Sequence, residues 1–312
     1  MALDNAALLD ALNSVTAIPI IPFKNGRVNY AGHAKNVTYL MRQNRLENQR
    51  PRVIAIAGTS LIHHLSAEEQ TRVIDETGRA MGSAGVLMAA VVPNPFSTAR
   101  QLLEAQLALP RTPDVFLVMP LTGVASRAGM FQAYLRLGEH YGKEYGARFL
   151  YYLRNSAERE VVIRLLNESP HWIGVKVGTN ENDVKPLLEG VGQNGMVIWG
   201  VGDRATKAAE LGAKGHTSGI AILYAGASDA INNAHRRGDF ATAHQVEAAI
   251  SPLEELRFMD NRIHNYSAVV EAMILSGFTD IEGGEGGPFN PRVPGEVAEK
   301  VKAAIQNLAQ YH

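Results

Sequence analysis

Short apolar runs alternate with longer amphipathic stretches from Val15 to Arg237. Eight of these runs have the length and the β-branched content that are typical of buried strands. They are Val15–Phe23, Val53–Thr59, Val86–Val92, Asp114–Pro120, Arg148–Leu153, Trp172–Gly178, Met196–Gly202 and Gly215–Ala221. Strands that are apolar on both faces and are separated by helices predict a parallel sheet covered by those helices.

The segments between these strands have the spacing of amphipathic helices. Val161, Val162, Leu165 and Leu166, for example, form one stripe of a 3.6-residue period. Ser66 precedes another helical segment and has a glutamate three residues later, which is the spacing of a capping box. Eight β-α units predict an α/β protein with a (β/α)8 (TIM) barrel. The alternative is a doubly wound open sheet, but the glycine-rich phosphate turn that it needs after the first strand is absent.

The chain after Arg237 has a different pattern. It predicts three helices, Phe240–Phe258, Asn261–Leu275 and Val297–Gln310, with a Gly- and Pro-rich segment before the last of them. We therefore predict a barrel over residues 1–237 and a C-terminal helical domain over residues 238–312.

Composition narrows the function classes. Of the 312 residues 46% are hydrophobic, and the formal net charge is -1, which argues against binding to nucleic acid or a membrane surface by bulk electrostatics. The absence of cysteine excludes disulfides, thiolate nucleophiles and Cys-ligated metals. No apolar run approaches 18 residues, and the first residues lack the basic start of a signal peptide, so we expect a cytoplasmic protein.

Lys176 is the one lysine of nine that lies inside an apolar strand candidate. Strand alternation turns Ile173, Val175 and Val177 toward the helices, so Lys176 should point into the barrel near its C-terminal mouth. Desolvation lowers the pKa of such a lysine and provides the neutral amine that Schiff-base chemistry needs. The alternative is a lysine whose amine reaches solvent or pairs with a carboxylate.

Tyr152 and Arg154 share one face at the end of the fifth strand. A phenol beside an amine can move protons, and an arginine there can hold a carboxylate with two hydrogen bonds. The alternative is that the tyrosines of this strand only pack in the barrel wall.

Small residues end two other strands. Thr59 and Ser60 follow the second strand, where hydroxyl groups can bind a carboxylate or relay a proton, or can simply cap the next helix. Gly202 ends the seventh strand and allows a ligand to approach the backbone closely, although it can also serve only as a tight turn. His63 and His64 are adjacent and have no third ligand nearby, so we predict no metal site.

Four motifs occur in the order in which they occur in one enzyme family. They are a first strand that ends in Pro22-Phe23, the helix start Leu65-Ser66-Ala67-Glu68-Glu69, the strand Gly174-Val175-Lys176, and Gly202-Asp203 followed by Leu211–Gly219. The chain therefore resembles the dihydrodipicolinate synthase / N-acetylneuraminate lyase family of class I aldolases over nearly its whole length.

The resemblance implies a barrel with a C-terminal helical domain, assembled as a homo-oligomer, either a tetramer or a dimer. It implies that Lys176 forms the Schiff base and that Ser218 belongs to the substrate-binding segment. Tyr152 is the implied proton shuttle, with Tyr151 as its rival in the alignment. Chemistry of this kind requires neither a metal nor an organic cofactor.

Three departures separate the chain from the synthases of that family. The strand-two motif Gly-Thr-Thr-Gly-Glu is reduced to Gly58-Thr59-Ser60, and Pro120-Leu121-Thr122 lacks the tyrosines of Pro-Tyr-Tyr. Tyr152-Leu153-Arg154-Asn155 is closer to the motif of the 5-dehydro-4-deoxyglucarate dehydratase branch.

The sequence thus predicts a Schiff-base-forming lyase, an aldolase or a dehydratase, that acts on a 2-oxo acid such as pyruvate or a deoxy sugar acid. Thr59, Ser60, Gly202 and Ser218 would bind this small molecule, and Arg154 would meet a second polar or acidic group. The alternatives are dihydrodipicolinate synthase itself, a non-catalytic ligand-binding protein of the same fold, and a phosphate-binding barrel.

Overall fold

The computed structural model describes residues 3–312, and its centre is a closed barrel of parallel strands. Each predicted strand is present, which confirms the (β/α)8 prediction. The barrel strands are β1 (Val15–Ala17), β4 (Val53–Ile56), β5 (Val86–Val91), β6 (Val115–Val118), β7 (Phe149–Leu153), β8 (Trp172–Val177), β9 (Met196–Trp199) and β10 (His216–Ser218). They follow one another around the barrel in chain order, and β10 closes on β1.

Two antiparallel hairpins lie outside the barrel. They are formed by β2 (Phe23–Lys24) with β3 (Arg27–Val28) and by β11 (Gly286–Gly287) with β12 (Asn290–Pro291). The predicted first strand extends to Phe23, but its barrel portion ends at Ala17 and its last residue belongs to the first hairpin.

Helices surround the barrel and extend beyond it. Helix α1 (Asn5–Leu12) precedes β1, and eight helices follow the barrel strands in turn: α2 (Tyr30–Arg42), α3 (Ala67–Met81), α4 (Phe96–Leu107), α5 (Arg127–Tyr145), α6 (Arg159–Glu168), α7 (Val184–Val191), α8 (Thr206–Glu210) and α9 (Ala221–Arg237). The capping box at Ser66 is confirmed, because its hydroxyl accepts from the Glu69 backbone N–H and the Glu69 carboxylate accepts from the Ser66 N–H.

The C-terminal extension consists of α10 (Phe240–Arg262), α11 (Ser267–Leu275) and α12 (Gly295–Ile305). Helix α10 packs on both α9 and α12, so the extension is joined to the last β-α unit. The predicted helix start at Asn261 is wrong, because Asp260 and Asn261 have positive φ angles of 43° and 57° and break the helical path. No helix among residues 3–312 is both long and apolar enough to cross a membrane.

Candidate active site

Strand β8 carries Lys176 into the C-terminal mouth of the barrel. All six residues of β8 are buried, and Lys176 is 4% exposed. Strand pairing places Lys176 opposite Tyr152 on β7 and Ile198 on β9. The lysine side chain lines a cavity of about 690 Å³ at the mouth, the place where the loops of a (β/α)8 barrel build active sites.

The Lys176 amine is desolvated. Burial lowers its pKa, and the Arg154 guanidinium acts in the same direction, while the Tyr152 phenol opposes them. Its Nζ lies 4.1 Å from the centroid of the Tyr152 ring. On the other side is Gly200, where a Cβ would stand 2.8 Å from Lys176 Cγ, so glycine at this position leaves room for the lysine. Burial therefore favours the neutral form of the amine, which is the form that acts as a nucleophile.

The two tyrosines of β7 point in opposite directions. Tyr152 lines the cavity, and Arg154 Nη1 donates to its Oη at 3.4 Å. Tyr151 faces the helices, where its hydroxyl donates to Glu158 at 2.9 Å and its ring packs 6.2 Å from the ring of Trp172. Tyr152 is thus the phenol within reach of the amine, and Tyr151 is a structural residue of the barrel wall.

The turn after β4 separates the two predicted hydroxyl residues. Thr59 lines the cavity and donates to the side-chain oxygen of Asn265 at 3.0 Å. Ser60 is fully buried, and its hydroxyl donates to the Pro19 carbonyl at 2.7 Å. This hydroxyl therefore holds the turn in place, and the substrate contact of Ser60 stays a prediction.

Of the two residues predicted after β9 and at the end of β10, one lines the cavity and the other is buried behind its wall. Gly202 lines the cavity with a φ of +68°, and a Cβ there would clash with the Glu254 carboxylate. Ser218 is fully buried. Its hydroxyl donates to Asp203 at 2.6 Å and accepts from the Ala221 N–H at 2.9 Å. Ser218 is not among the residues that line the cavity, and its contact with substrate stays a prediction.

Asp203 is the centre of a buried polar cluster behind this wall. Burial raises its pKa, but hydrogen bonds from His216 and Ser218 outweigh burial, so the pKa lies below its ordinary value. His216 Nε2 is 3.2 Å from the Asp203 carboxylate. The cluster fixes the turn that carries Gly202.

Sequence analysis missed the contribution of the C-terminal extension. Arg257, Phe258, Arg262 and Asn265 lie at or just after the end of α10, and all four line the cavity. The pattern of α10 indicates an amphipathic helix but not the surface on which it packs. Only the positive φ angles between Phe258 and Ile263 turn this segment back over the mouth, and no periodicity reveals such a turn.

A buried ion pair joins this extension to the barrel. Arg257 donates to Glu254, and the two side chains are 1% and 0% exposed. The other Glu254 oxygen accepts from the Asp203 backbone N–H at 3.1 Å. Burial raises the pKa of Glu254, and Arg257 opposes this effect. The pair therefore anchors α10 against the turn that follows β9.

The cavity wall is cationic. Among the described residues its lining contains Lys176, Arg154, Arg257 and Arg262 but no aspartate or glutamate. His63 also lines the cavity. The described residues contain no group of three or more side chains placed to hold a metal ion. This electrostatic environment favours an anionic organic ligand.

A family model for the dihydrodipicolinate synthetase family matches residues 11–283. No curated protein sequence is significantly similar to the chain.

Several solved structures share the whole fold. Dihydrodipicolinate synthase from Bacillus clausii superposes with a TM-score of 0.85 at 21% identity, over 96% of this chain and 98% of the other. A chloride-inhibited dihydrodipicolinate synthase from Acinetobacter baumannii, solved in complex with pyruvate, has a TM-score of 0.78 at 22% identity, over 96% and 99%. A 4-hydroxy-tetrahydrodipicolinate synthase from Methylacidiphilum fumariolicum has a TM-score of 0.81 at 20% identity, over 96% of each chain.

Proposed function

The chain belongs to the dihydrodipicolinate synthetase family, and on that premise we propose that it is a Schiff-base-forming lyase that acts on a 2-oxo acid. One observation carries the proposal: the desolvated Lys176 amine lies against the Tyr152 ring in a cavity whose described lining contains no carboxylate. A similar structure was solved with pyruvate, which is itself a 2-oxo acid.

Lys176 supplies the nucleophile. Its neutral amine adds to the C2 carbonyl carbon of the substrate, and loss of water then gives an imine between Nζ and C2. The protonated imine withdraws electrons from C3. When the C4 hydroxyl loses its proton, the C3–C4 bond breaks, a carbonyl fragment is released and an enamine remains on Lys176; alternatively, loss of a C3 proton gives an enamine that expels the C4 hydroxyl group as water after protonation. Water then hydrolyses the remaining imine and frees the amine.

Tyr152 moves the protons of these steps. Its ring adjoins the Lys176 amine, and its hydroxyl adjoins the Arg154 guanidinium. The phenol can protonate the departing water during imine formation and can take a proton back when the scissile bond breaks.

The turn that carries Thr59 binds the carboxylate of the 2-oxo acid. The Thr59 hydroxyl lines the cavity and donates to the side-chain oxygen of Asn265, and a bound carboxylate would replace that oxygen as the acceptor. A carboxylate held there places the adjacent C2 carbonyl within reach of the amine.

Thr122 favours a sugar acid or a diacid over the substrates of a synthase. It lines the cavity at the position where the resemblance expects a relay tyrosine, and it offers a small hydroxyl group in place of the phenol. We therefore expect a polyhydroxylated or dicarboxylic 2-oxo acid to have a higher kcat/KM than pyruvate with aspartate semialdehyde.

Reductive trapping tests the proposal. Borohydride treatment with pyruvate and a panel of 2-oxo acids should add to the intact wild-type protein the mass of one substrate molecule less one oxygen atom, because imine formation loses water and reduction adds two hydrogen atoms. Lys176→Ala should give no adduct, while the control Lys185→Ala, which replaces an exposed lysine, should behave as wild type. If no 2-oxo acid gives an adduct, the proposal is wrong and a non-catalytic ligand-binding protein is favoured.

A further inference from the structure

We propose that His63 is a catalytic residue that carries the proton to and from C3 of the imine-bound substrate. The inference rests on the proposed function and deepens it, because it adds an acid–base group to Lys176 and Tyr152. It assigns a task to one of the two adjacent histidines after β4, which the proposed function leaves without one.

Lyase chemistry at an imine needs a proton carrier at C3. Dehydration includes the loss of a C3 proton, and aldol cleavage ends with a proton added to C3 of the enamine. Lys176 is bound in the imine or enamine during these steps, and Tyr152 serves the oxygen atoms that leave or form. A third group should have both a basic and an acidic form near neutral pH, and imidazole is the side chain with that property.

His63 reaches the cavity from the wall opposite Lys176. It follows β4, and β4 and β8 stand four strands apart in either direction around the barrel. Both side chains line the same cavity. A 2-oxo acid that is joined to Lys176 at C2 and directs its carboxylate to the turn of Thr59 therefore lies against the segment that carries His63.

The imidazole of His63 is available to a ligand. The side chain is exposed at the open mouth, and within residues 3–312 no hydrogen bond or ion pair engages either of its nitrogens. The ring of His64 packs 5.1 Å from the ring of Phe289, between centroids. His216 is hydrogen-bonded inside the buried cluster around Asp203. Of these histidines, His63 is the one whose ring nitrogens are left for the cavity.

Few other groups of the lining can accept a proton from C3. Besides Lys176, Tyr152 and the histidine pair, the ionisable side chains of the described lining are arginines. Guanidinium groups stay protonated in proteins and have no acceptor site. The described lining contains no aspartate or glutamate that could serve instead.

The turn that presents His63 is strained and braced. Leu61 has a φ of 54°, in the left-handed region that a bulky residue rarely adopts. Its Cδ1 fits against Gly287 of the β11–β12 hairpin, where a Cβ would stand 2.6 Å from it. The same hairpin carries Phe289, which packs on His64. Strained conformations persist where surrounding contacts require them and cluster at functional sites. The brace fixes the backbone from which His63 enters the cavity.

The proposed step is a reversible proton transfer. One imidazole nitrogen of neutral His63 takes the proton from C3 of the protonated imine. The C3–H electron pair becomes the C2=C3 bond, and the C2=N pair moves onto Nζ, which gives the neutral enamine and an imidazolium. In the reverse direction the imidazolium returns its proton to C3, and the protonated imine forms again.

Deuterium exchange into pyruvate tests this step by itself. In D2O the loss of the methyl proton NMR signal reports proton transfer at C3, and borohydride trapping with pyruvate reports imine formation. His63→Gln should slow the enzyme-dependent exchange roughly 10²-fold, while half-maximal adduct forms at the wild-type pyruvate concentration. Added imidazole should restore part of the exchange in His63→Ala. His140→Gln is the control, because it replaces an exposed histidine of α5 that does not line the cavity.

The outcomes separate the two claims. Undiminished exchange in His63→Gln overturns the inference and leaves the lyase proposal intact, and so does loss of exchange in His64→Gln alone. A wild type that forms the adduct but exchanges no deuterium also overturns the inference. A wild type that forms no adduct with pyruvate or any 2-oxo acid of the panel overturns the lyase proposal itself. If thermal unfolding shows that His63→Gln is not folded, the imidazole rescue of His63→Ala decides.

Discussion

The floor of the cavity, Lys176 and Tyr152, differs from its rim, Arg154 and Arg262, in how its groups are held. The floor residues stand on adjacent barrel strands and are 4% and 7% exposed. The rim residues follow the end of a strand and the end of a helix, and Arg154 is solvent-exposed. An amine with a lowered pKa must be desolvated, and the rigid barrel strands provide this desolvation. The residues that recognise the variable end of a substrate can lie on segments outside the barrel. Chemistry and selectivity should therefore be separable by mutation.

Removal of the amine is expected to have the largest effect. Lys176→Ala should reduce kcat by roughly 10³-fold or more and leave the fold intact, because an apolar group replaces a buried amine. Steady-state rates and thermal unfolding measure the two parts of this prediction. A variant that keeps more than about a tenth of the wild-type rate would rule out the Schiff-base mechanism.

The two tyrosines of β7 provide an internal control for the floor. Tyr152→Phe should lower kcat by about 10²–10⁴-fold, the range of general acid–base catalysis, with little change in stability. Tyr151→Phe should leave kcat nearly unchanged and cost about 1 kcal/mol of stability, because it loses the hydrogen bond to Glu158. The opposite ranking of the two rates would transfer the catalytic role to Tyr151.

The buried ion pair between Arg257 and Glu254 should stabilise the packing of the C-terminal extension against the barrel. Arg257→Ala leaves the Glu254 carboxylate buried and unpaired, which should lower the free energy of unfolding by about 3–5 kcal/mol. Arg204→Ala, at an exposed arginine of the same region, should change it by less than about 0.5 kcal/mol. Chemical denaturation measures both variants, and equal stabilities would show that the pair does not anchor α10.

The amine should also show its burial in a pH profile. Burial lowers the pKa of Lys176 in the folded protein below its ordinary value of 10.5. The neutral amine is the nucleophile, so the rate of adduct formation should rise with pH and reach its plateau at a lower pH than an exposed lysine would. Stopped trapping reactions across the pH range provide the curve. A rate that is still rising at the ordinary lysine pKa would show that the amine is not desolvated.

The hydroxyl residues after β4 should give the smallest effects. Ser60→Ala should cost about 1 kcal/mol of stability, because the Pro19 carbonyl loses its donor, and KM should stay at the wild-type value. Thr59→Val should raise KM for 2-oxo acids several-fold, because the cavity loses the hydroxyl group that a bound carboxylate would share with Asn265. An increase in KM for Ser60→Ala would restore its predicted place in the site.

The barrel and the floor could be predicted because strand alternation is a local property. One lysine within an apolar run is enough to place Lys176 inside the barrel, and the same period places Tyr152 beside it. The alternation does not predict hydroxyl partners. The Ser60 hydroxyl bonds to the Pro19 carbonyl and that of Ser218 bonds to Asp203, and both partners come from other parts of the chain.

Of the two rim residues, Arg154 was predicted from strand alternation, whereas Arg262 escaped prediction because its place depends on tertiary packing. The hydrophobic pattern of α10 predicts that one face of the helix is buried, but it does not predict that the helix ends above the barrel mouth. The left-handed residues Asp260 and Asn261 lie where the sequence predicts the change from one helix to the next, but the pattern does not give the direction in which the chain turns there. Arg262 therefore becomes a candidate site residue only when the packing of α10 on α9 is known.

Peptide mapping of the trapped protein tests the central claim most directly. After borohydride reduction with the best 2-oxo acid of the panel, the wild-type protein is digested, and the modified residue is located among its nine lysines by mass spectrometry. The account predicts one adduct per chain, on Lys176, at neutral pH. An adduct on any other lysine, with Lys176 unmodified, would contradict it.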